Sequence, residues 1–267
     1  MTAVPRTDPA GNGPTAPTSV MLLARRSLQH ELRSVDGLLL GIVLPVLLML
    51  LFVYVFGGAI TTGATGLDYV DFVAPAVILL AAGYGAATTA TTVALDVTTG
   101  AFDRLRTLPI PDWSAPAGHV ATSVVKNLAS TAIVIAIGVT IGFRPQAGLG
   151  DWAVALGIVT LYIVALTWAS VAVGLVARSV ELAGAFPFFV LFLPYLSSAF
   201  VPVETMPAGL QVVAEHQPMT AITDALRYWL LGIPAPGATT AALLWWAGIL
   251  LVSVPVTAVL FRRRTVR

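Results

Sequence analysis

The chain has 267 residues, of which 57% are hydrophobic and only 10% are charged, and its mean hydropathy is +0.90. A soluble globular domain carries about 25% charged residues, so this composition excludes an ordinary water-soluble protein and predicts an integral membrane protein. The net charge of +1 says nothing about an acidic partner. We expect no nucleic-acid partner. The absence of cysteine excludes disulfides and cysteine-ligated metals.

The first part of the chain carries no secretion signal. Residues 1–18 are rich in Pro, Gly, Thr and Ala without an apolar run, which predicts a disordered cytoplasmic tail. Over 20–35, apolar residues recur at helical spacing while Arg25, Arg26 and Arg33 fall between them. This pattern predicts a basic amphipathic helix lying on the cytoplasmic leaflet, with an ordinary cytoplasmic helix as the alternative.

Six apolar stretches are long enough to cross about 30 Å of hydrocarbon, which takes roughly 20 helical residues. The predicted spans are 38–60, 72–95, 120–143, 152–177, 182–201 and 238–261. Because these stretches are continuously apolar and do not alternate, they predict an all-α membrane protein with six transmembrane helices. Each connecting piece is too short for a soluble domain, so we expect residues 19–267 to form one transmembrane domain.

The basic residues predict the orientation of these spans. With both termini placed in the cytoplasm, eleven arginines fall on the cytoplasmic side and only Arg144 and Arg227 on the outer side. Such an excess is typical of cytoplasmic loops. We therefore expect a multi-pass protein of the plasma membrane with both termini in the cytoplasm.

The sequence offers no catalytic, cofactor or metal centre. A phosphate-binding loop needs a lysine after a glycine-rich run, but the single lysine, Lys126, follows Ser123-Val-Val. Glu215 and His216 lack the helical spacing and the third ligand of a zinc site, so they are interpreted as a polar pair on an outer loop. We expect the chain not to be an enzyme, and an ATPase must be a separate polypeptide.

The span interiors carry hydroxyl groups but no acid or base at depth. Thr89, Ser123 and Thr131 are typical of packing and of hydrogen bonds between membrane helices. Proton or ion coupling usually needs buried ionisable groups, so it is disfavoured.

The inner loop after the second span runs Asp96-Val-Thr-Thr-Gly-Ala-Phe-Asp-Arg-Leu-Arg-Thr-Leu-Pro-Ile110. After Gly100, which permits a turn, apolar residues recur at every third position with charged residues between them. This pattern predicts a short helix parallel to the membrane, whose apolar side chains suit a groove on a cytoplasmic partner. A surface loop whose arginines only set the topology is an equally open alternative.

The outer piece before the last span is too apolar for a free loop. Pro207 opens a first short helix and Pro218 separates it from a second, whose apolar residues form one stripe: Ala221, Ile222, Ala225, Leu226 and Trp229. This pattern predicts a helical hairpin that dips back into the outer leaflet or caps the membrane domain.

At these two segments the sequence resembles the permease subunits of type-2 ABC transporters, in the daunorubicin/doxorubicin-resistance branch. The inner run Gly100-Ala-Phe-Asp-Arg-Leu-Arg-Thr-Leu-Pro109 has that branch's glycine, Asp-Arg-(Leu/Phe)-Arg and Leu-Pro pattern. Asp96 keeps the acid that precedes the glycine in many relatives, but the following base is absent. The outer runs Phe200-Val-Pro202, Met206-Pro207, Gln217-Pro-Met-Thr220 and Leu226-Arg227 fit the wider family.

The resemblance implies one membrane half of an exporter. Two six-span subunits, identical or related, would assemble above two copies of a separate ABC ATPase that binds the ATP. The inner run would be the coupling helix, and 203–236 would lie at the exit between the subunits. The implied ATPase-coupling residues are Asp96, Gly100, Phe102, Asp103, Arg104, Leu105, Arg106, Leu108 and Pro109.

The predicted function is therefore that of a permease subunit that moves hydrophobic drugs, antibiotics or lipids outward across the plasma membrane. Its partners would be the ATPase, a second permease, membrane lipid and the hydrophobic substrate. Two alternatives stay open: the same architecture exporting a polysaccharide or other polymer, and a membrane scaffold that transports nothing.

Overall fold

The structure is a computed structural model that describes residues 35–57, 68–101 and 114–265, and every regular element in these ranges is helical. The α-helices are α1 (Val35–Leu50), α2 (Tyr69–Ala87), α3 (Thr89–Thr98), α4 (Ser114–Ile141), α5 (Leu149–Val176), α6 (Val180–Phe192), α7 (Ala208–His216), α8 (Pro218–Leu231) and α9 (Ala238–Thr265). A π-helical segment, Leu51–Phe56, continues α1, and short 3₁₀ turns occupy Leu193–Leu196 and Val203–Thr205. The predicted helix on 20–35 lies outside the described residues.

Several of these helices have the length and composition of membrane spans. The four long ones are Tyr69–Thr98, Ala115–Ile141, Leu149–Val176 and Ala238–Arg263. Two shorter apolar helices, Gly41–Val55 and Val180–Leu196, lie at the first and fifth predicted spans. The prediction of an all-helical, multi-pass membrane protein is therefore confirmed.

The ends of the helices follow from local chemistry. Ser179 caps α6, because its hydroxyl accepts the backbone N–H of Leu182 at 3.2 Å. At the end of α8, Gly232 adopts φ +71°, a left-handed conformation that favours glycine.

The fifth predicted span, 182–201, is helical only as far as Leu196. Proline has no N–H to donate and crowds the preceding turn, and the α-helix gives way to a 3₁₀ turn where Pro194 enters. The following residues turn instead of crossing further, and Ser197 N–H closes that turn on Pro194 O at 3.1 Å. The chain then enters the α7–α8 hairpin, whose two helices occur where the prolines predict them.

Helix α5 is the centre of the bundle and packs against α2, α3, α4, α8 and α9. Tyr162 on α5 is only 1% exposed and its ring meets Trp246 of α9 edge-on, with the centroids 4.4 Å apart. Gly83 of α2 provides the space for the tyrosine, since a Cβ there would lie 2.0 Å from its hydroxyl. Large and small side chains thus interlock at the core.

The second predicted span is divided at Thr88 into α2 and α3. The Thr88 hydroxyl donates to Gly85 O at 2.7 Å, a bond that competes with the regular helix ladder. Helix α2 packs closely on α4, whereas α3 packs mainly on α5 and α6. This division positions the end of the molecule that the predicted topology places on the cytoplasmic side. It is named the inner end here, and the opposite end is named the outer end.

Candidate functional site

The inner end of α3 leads directly into the predicted coupling segment. The hydroxyls of Thr98 and Thr99 donate to the carbonyl oxygens of Ala94 and Leu95 at 3.0 and 2.8 Å, and so satisfy acceptors in the last turn. Gly100 then adopts φ +69°, which a residue with a side chain rarely tolerates. The turn predicted at this glycine is present.

Most of the predicted coupling residues lie outside the described residues, and their role stays a prediction. They are Phe102, Asp103, Arg104, Leu105, Arg106, Leu108 and Pro109. The two that the structure describes, Asp96 and Gly100, both lie where the chain leaves α3.

Asp96 of α3 is paired with His119 of α4. Nε2 of His119 lies 2.9 Å from Oδ2 of Asp96, and the side chains are 9% and 32% exposed. His119 therefore occupies one of the two acceptor oxygens of the Asp96 carboxylate. The pair therefore joins the helix that enters the inner loop to the helix that leaves it.

A buried row of polar side chains continues from this pair into the membrane region. Thr89 Oγ1 donates to Ser123 Oγ at 2.9 Å, and Asn127 Nδ2 donates to the same oxygen at 3.0 Å. Thr167 of α5 brings its hydroxyl within 3.4 Å of Ser123 Oγ. These four residues, named the polar seam here, connect α3, α4 and α5, as expected of hydroxyls inside membrane helices.

The seam ends at Asn127, whose side chain lies against Gly85 of α2. A Cβ at Gly85 would lie 1.8 Å from Oδ1 of Asn127, so only glycine accommodates that amide. Asn127 itself is 1% exposed. Its amide is therefore held by the Ser123 hydrogen bond on one side and by the α2 backbone on the other.

At the outer end, Arg227 of α8 is almost fully buried, with 5% exposure. Its Nη2 donates to Phe72 O at 3.0 Å and to Ala199 O at 2.9 Å, and its Nε donates to Phe72 O at 3.2 Å. Its Nη1 lies 3.1 Å from Asp224 Oδ1 and 3.4 Å from Ser198 Oγ. The guanidinium also stacks on the Phe72 ring, 3.8 Å from the centroid.

Burial disfavours the charged forms of Arg227 and Asp224, whereas the contact between the two side chains favours both charged forms. Desolvation lowers the pKa of Arg227 to about 10, although Asp224 acts in the opposite direction. Arg227 is therefore a cation at neutral pH. Asp224 has a pKa raised by burial, an effect that Arg227 and the Ser198 hydroxyl counteract.

Other bonds extend this outer cluster. Tyr69 donates its phenolic hydrogen to Phe200 O at 3.2 Å, and Ser198 N–H donates to Thr220 Oγ1 at 3.2 Å. The α7–α8 hairpin is thereby tied to the start of α2 and to the turn after α6. The predicted apolar stripe of α8 faces inward, because Ile222, Ala225 and Leu226 are fully buried.

The Glu215–His216 pair lies on α7, where His216 Nδ1 is 2.9 Å from Val212 O of its own helix. In the part of the chain that the structure describes, no three His, Asp or Glu side chains converge as ligands for a metal ion.

Two features carry little signal in the sequence. His119 stands near an interface among apolar neighbours, and only its position across from Asp96, on the other side of the inner loop, hints at a pair. Asn127 is the one amide within the predicted spans, so its rarity at that depth is a signal that a buried partner exists.

A helical bundle with several long apolar helices is the architecture of a multi-pass membrane protein. A model of the ABC-2 type transporter family matches residues 18–231. The chain therefore belongs to the ABC-2 type transporter family, as its inner and outer motifs predict.

Named relatives in two organisms agree with this family. The chain is 29% identical over 224 residues to the "Daunorubicin resistance ABC transporter permease protein DrrB1" of Streptomyces coeruleorubidus, covering 84% of this chain and 78% of the relative. It is 29% identical over 255 residues to the "Probable doxorubicin resistance ABC transporter permease protein DrrC" of Mycobacterium tuberculosis H37Rv, covering 91% and 88%.

Proposed function

We propose that this chain is the membrane subunit of an ATP-driven exporter of hydrophobic drugs or lipids. The observation that carries the proposal is the ABC-2 family match over residues 18–231, together with relatives named as drug-resistance permeases. The absence of charged residues from the predicted spans, Lys126 apart, suits such cargo and disfavours small ions. The chain would not hydrolyse ATP itself.

The topology in this proposal has six spans in a single domain, 19–267, preceded by a cytoplasmic tail. The apolar helices Gly41–Val55 and Val180–Leu196 supply the first and fifth spans beside the four long ones. The arginine distribution supports a cytoplasmic location for both termini. Because the chain has no cysteine, single introduced cysteines report their side of the membrane through an impermeant maleimide.

The α7–α8 hairpin belongs at the outer leaflet in this proposal. Helix α7 exposes Leu210, Val212 and Val213, which are 46%, 62% and 52% exposed. Helix α8 buries its apolar stripe against the bundle. Apolar residues on the free side of a short helix suit a lipid interface near the exit of the transport path.

Two ABC ATPase subunits would dock beneath a pair of permeases, the second being an identical or related chain. Membership of the ABC-2 family supports an ATPase partner. The docking element would be the coupling helix on 100–109, with Arg104, Arg106 and Asp103 as polar anchors and Phe102, Leu105 and Leu108 as apolar contacts. ATP would bind only to the partner.

Co-purification with candidate ABC ATPases from the same genome tests the proposal. We expect the wild-type chain to retain the ATPase and to drive ATP-dependent drug transport in vesicles. The double variant Arg104→Glu/Arg106→Glu should lose both, since it reverses two charges on the docking element. Arg178→Glu, a reversal at an exposed residue of the proposed cytoplasmic side, is the matched control and should retain both.

The same experiment separates the alternatives. Full assembly and coupled transport by the double variant would contradict the coupling assignment. A wild-type chain that binds no ATPase would instead favour a membrane scaffold. An ATPase-bound chain that moves no drug or lipid would direct attention to a polymer substrate.

A further inference from the structure

We propose that Asp96 and His119 brace the two ends of the inner loop, so that a force on the loop reaches the polar seam instead of being absorbed at the loop ends. His119 is then a positioning residue for ATP coupling, and Asp96 acts through His119. This inference rests on the proposed function, because it specifies how the force from an ATPase enters the membrane bundle.

Asp96 and His119 lie on the two helices that flank the inner loop. Asp96 lies in the last turn of α3, and His119 lies in the second turn of α4. The coupling motif on 100–109 stands between them in the chain. A contact of 2.9 Å between their side chains closes the base of that segment, so its two ends are held in a fixed relation.

The pair lies on the same helix faces as the polar seam. His119, Ser123 and Asn127 follow one another at intervals of four residues on α4, which places them on one face. On α3, Thr89 and Asp96 are two turns apart and also share a face. The Asp96–His119 and Thr89–Ser123 contacts are therefore successive links between the same two helices.

Helix α3, in turn, is packed tightly against the rest of the bundle. Ala90 and Ala94 of α3 are buried with Ala177 and Ala183, at the α5–α6 connection. A Cβ at Gly174 of α5 would lie 2.5 Å from Ala90 O, which shows how closely α3 and α5 approach. A displacement at the inner end of α3 must therefore move α5 as well.

The side-chain links matter because α3 has little close backbone contact with α4. Without Asp96–His119, the next polar link that the structure describes between these helices is Thr89–Ser123, about one turn further along α4. The inner ends of α3 and α4 would then separate when the loop is pushed. Part of the displacement that the ATPase applies to the loop would then stay local and would not reach the rest of the bundle.

The pair also bears on Asp96, which the resemblance implies to be an ATPase-coupling residue. One carboxylate oxygen is held by a buried imidazole, and the side chain is 32% exposed. Drawing Asp96 toward a partner would leave the buried His119 nitrogen without this acceptor. The structure thus gives Asp96 a role within this chain.

The test uses the assembled complex with its ATPase and follows daunorubicin transport per ATP hydrolysed. His119→Ala should keep ATPase binding and hydrolysis but lower this ratio roughly fivefold, within the range by which single residues change coupling. His119→Gln should restore most of the ratio, because its amide Nε2 donates from a similar position. The double variant Asp96→Ala/His119→Ala should be no worse than either single change, as expected of partners in one contact.

The control is Thr99→Ala, which removes an exposed hydroxyl bonded only to its own helix at Leu95 O and should behave as wild type. The inference is overturned if His119→Ala transports as much per ATP as the wild type, or if Ala and Gln at position 119 lower the ratio equally. If His119→Ala does not fold, Asp96→Leu replaces it: this change removes the acceptor at similar size and should lower the ratio to a similar extent, and an unchanged ratio would overturn the inference. Failure of the wild-type complex to transport would count against the proposed function instead.

Discussion

The two ends of the molecule are held together in different ways. At the outer end one buried cation, Arg227, bonds to two backbone carbonyls, a hydroxyl and a carboxylate, and so joins α8, α2 and the turn after α6. At the inner end α3 and α4 are joined by the Asp96–His119 pair and by the hydroxyls of the polar seam. The outer end is a single centre, while the inner end is a series of separate links.

This difference indicates that the two ends of the molecule have different roles. A single centre fails entirely when its cation is lost, because several buried acceptors lose their partner together. A series of weaker links tolerates the loss of one member but transmits motion along its length. We therefore expect substitutions at the outer end to affect folding, and substitutions at the inner end to affect coupling first.

The largest effect should come from Arg227→Ala. The change removes the cation from two carbonyls and leaves the buried Asp224 carboxylate with only the Ser198 hydroxyl among its described donors. Such a loss should cost about 3–5 kcal/mol. The yield of monodisperse protein in detergent and its apparent Tm measure this loss. Arg178→Ala, at an exposed arginine, should leave both unchanged. Equal stability of the two variants would contradict the stabilising role given to Arg227.

Gly174→Ala should cost about 1–3 kcal/mol through overpacking. The new Cβ would lie 2.5 Å from Ala90 O and 2.8 Å from Val93 Cβ, so α3 and α5 must separate. Gly157→Ala on the same helix has no atom within 4 Å of its Cβ and is the matched control. Comparing the apparent Tm of the two variants tests whether α3 is seated on α5 as tightly as the coupling inference requires.

Ser123→Ala should cost about 1–2 kcal/mol, because interhelical polar bonds in membranes contribute about 0.6 kcal/mol each on average and this change removes more than one. It removes the acceptor shared by Thr89 and Asn127. Thr140→Ala on the same helix removes only an exposed bond to Ile137 O and should be neutral by thermal denaturation. If both changes have the same effect, the seam contributes nothing to the inner end.

The smallest effect should come from Tyr69→Phe. This change deletes one hydrogen bond, to Phe200 O, and should cost about 0.5–1 kcal/mol. Thermal denaturation beside Arg227→Ala measures it. A loss as large as that of Arg227→Ala would mean that the outer end is a distributed network and not a single centre.

Much of this architecture can be predicted from the sequence. Continuous apolar runs predict the helices at the described positions, and Pro207 and Pro218 predict where α7 and α8 begin. The early end of the fifth helix at Leu196 is harder, because the residues after it are as apolar as a span and only Pro194 indicates the change. Gly100 predicts its turn, since the left-handed conformation is one that glycine favours.

The contacts between helices are less predictable, because they depend on tertiary packing. Arg227 contributes to the topology count and to the outer motif, yet nothing local to it predicts burial with Phe72, far away in the chain. The Asp96–His119 pair joins residues of two helices separated by the inner loop. Helix spacing places Ser123 and Asn127 on one face with His119 but does not say which helix that face meets.

The central claim is that this chain transports by using a separate ATPase. The most direct test is daunorubicin accumulation in inside-out vesicles that contain this chain, a candidate ABC ATPase from the same genome, or both. The account predicts ATP-dependent accumulation only when both chains are present, and its loss with Arg104→Glu/Arg106→Glu. Accumulation that needs no ATPase, or an ATPase that never associates with the chain, would contradict it.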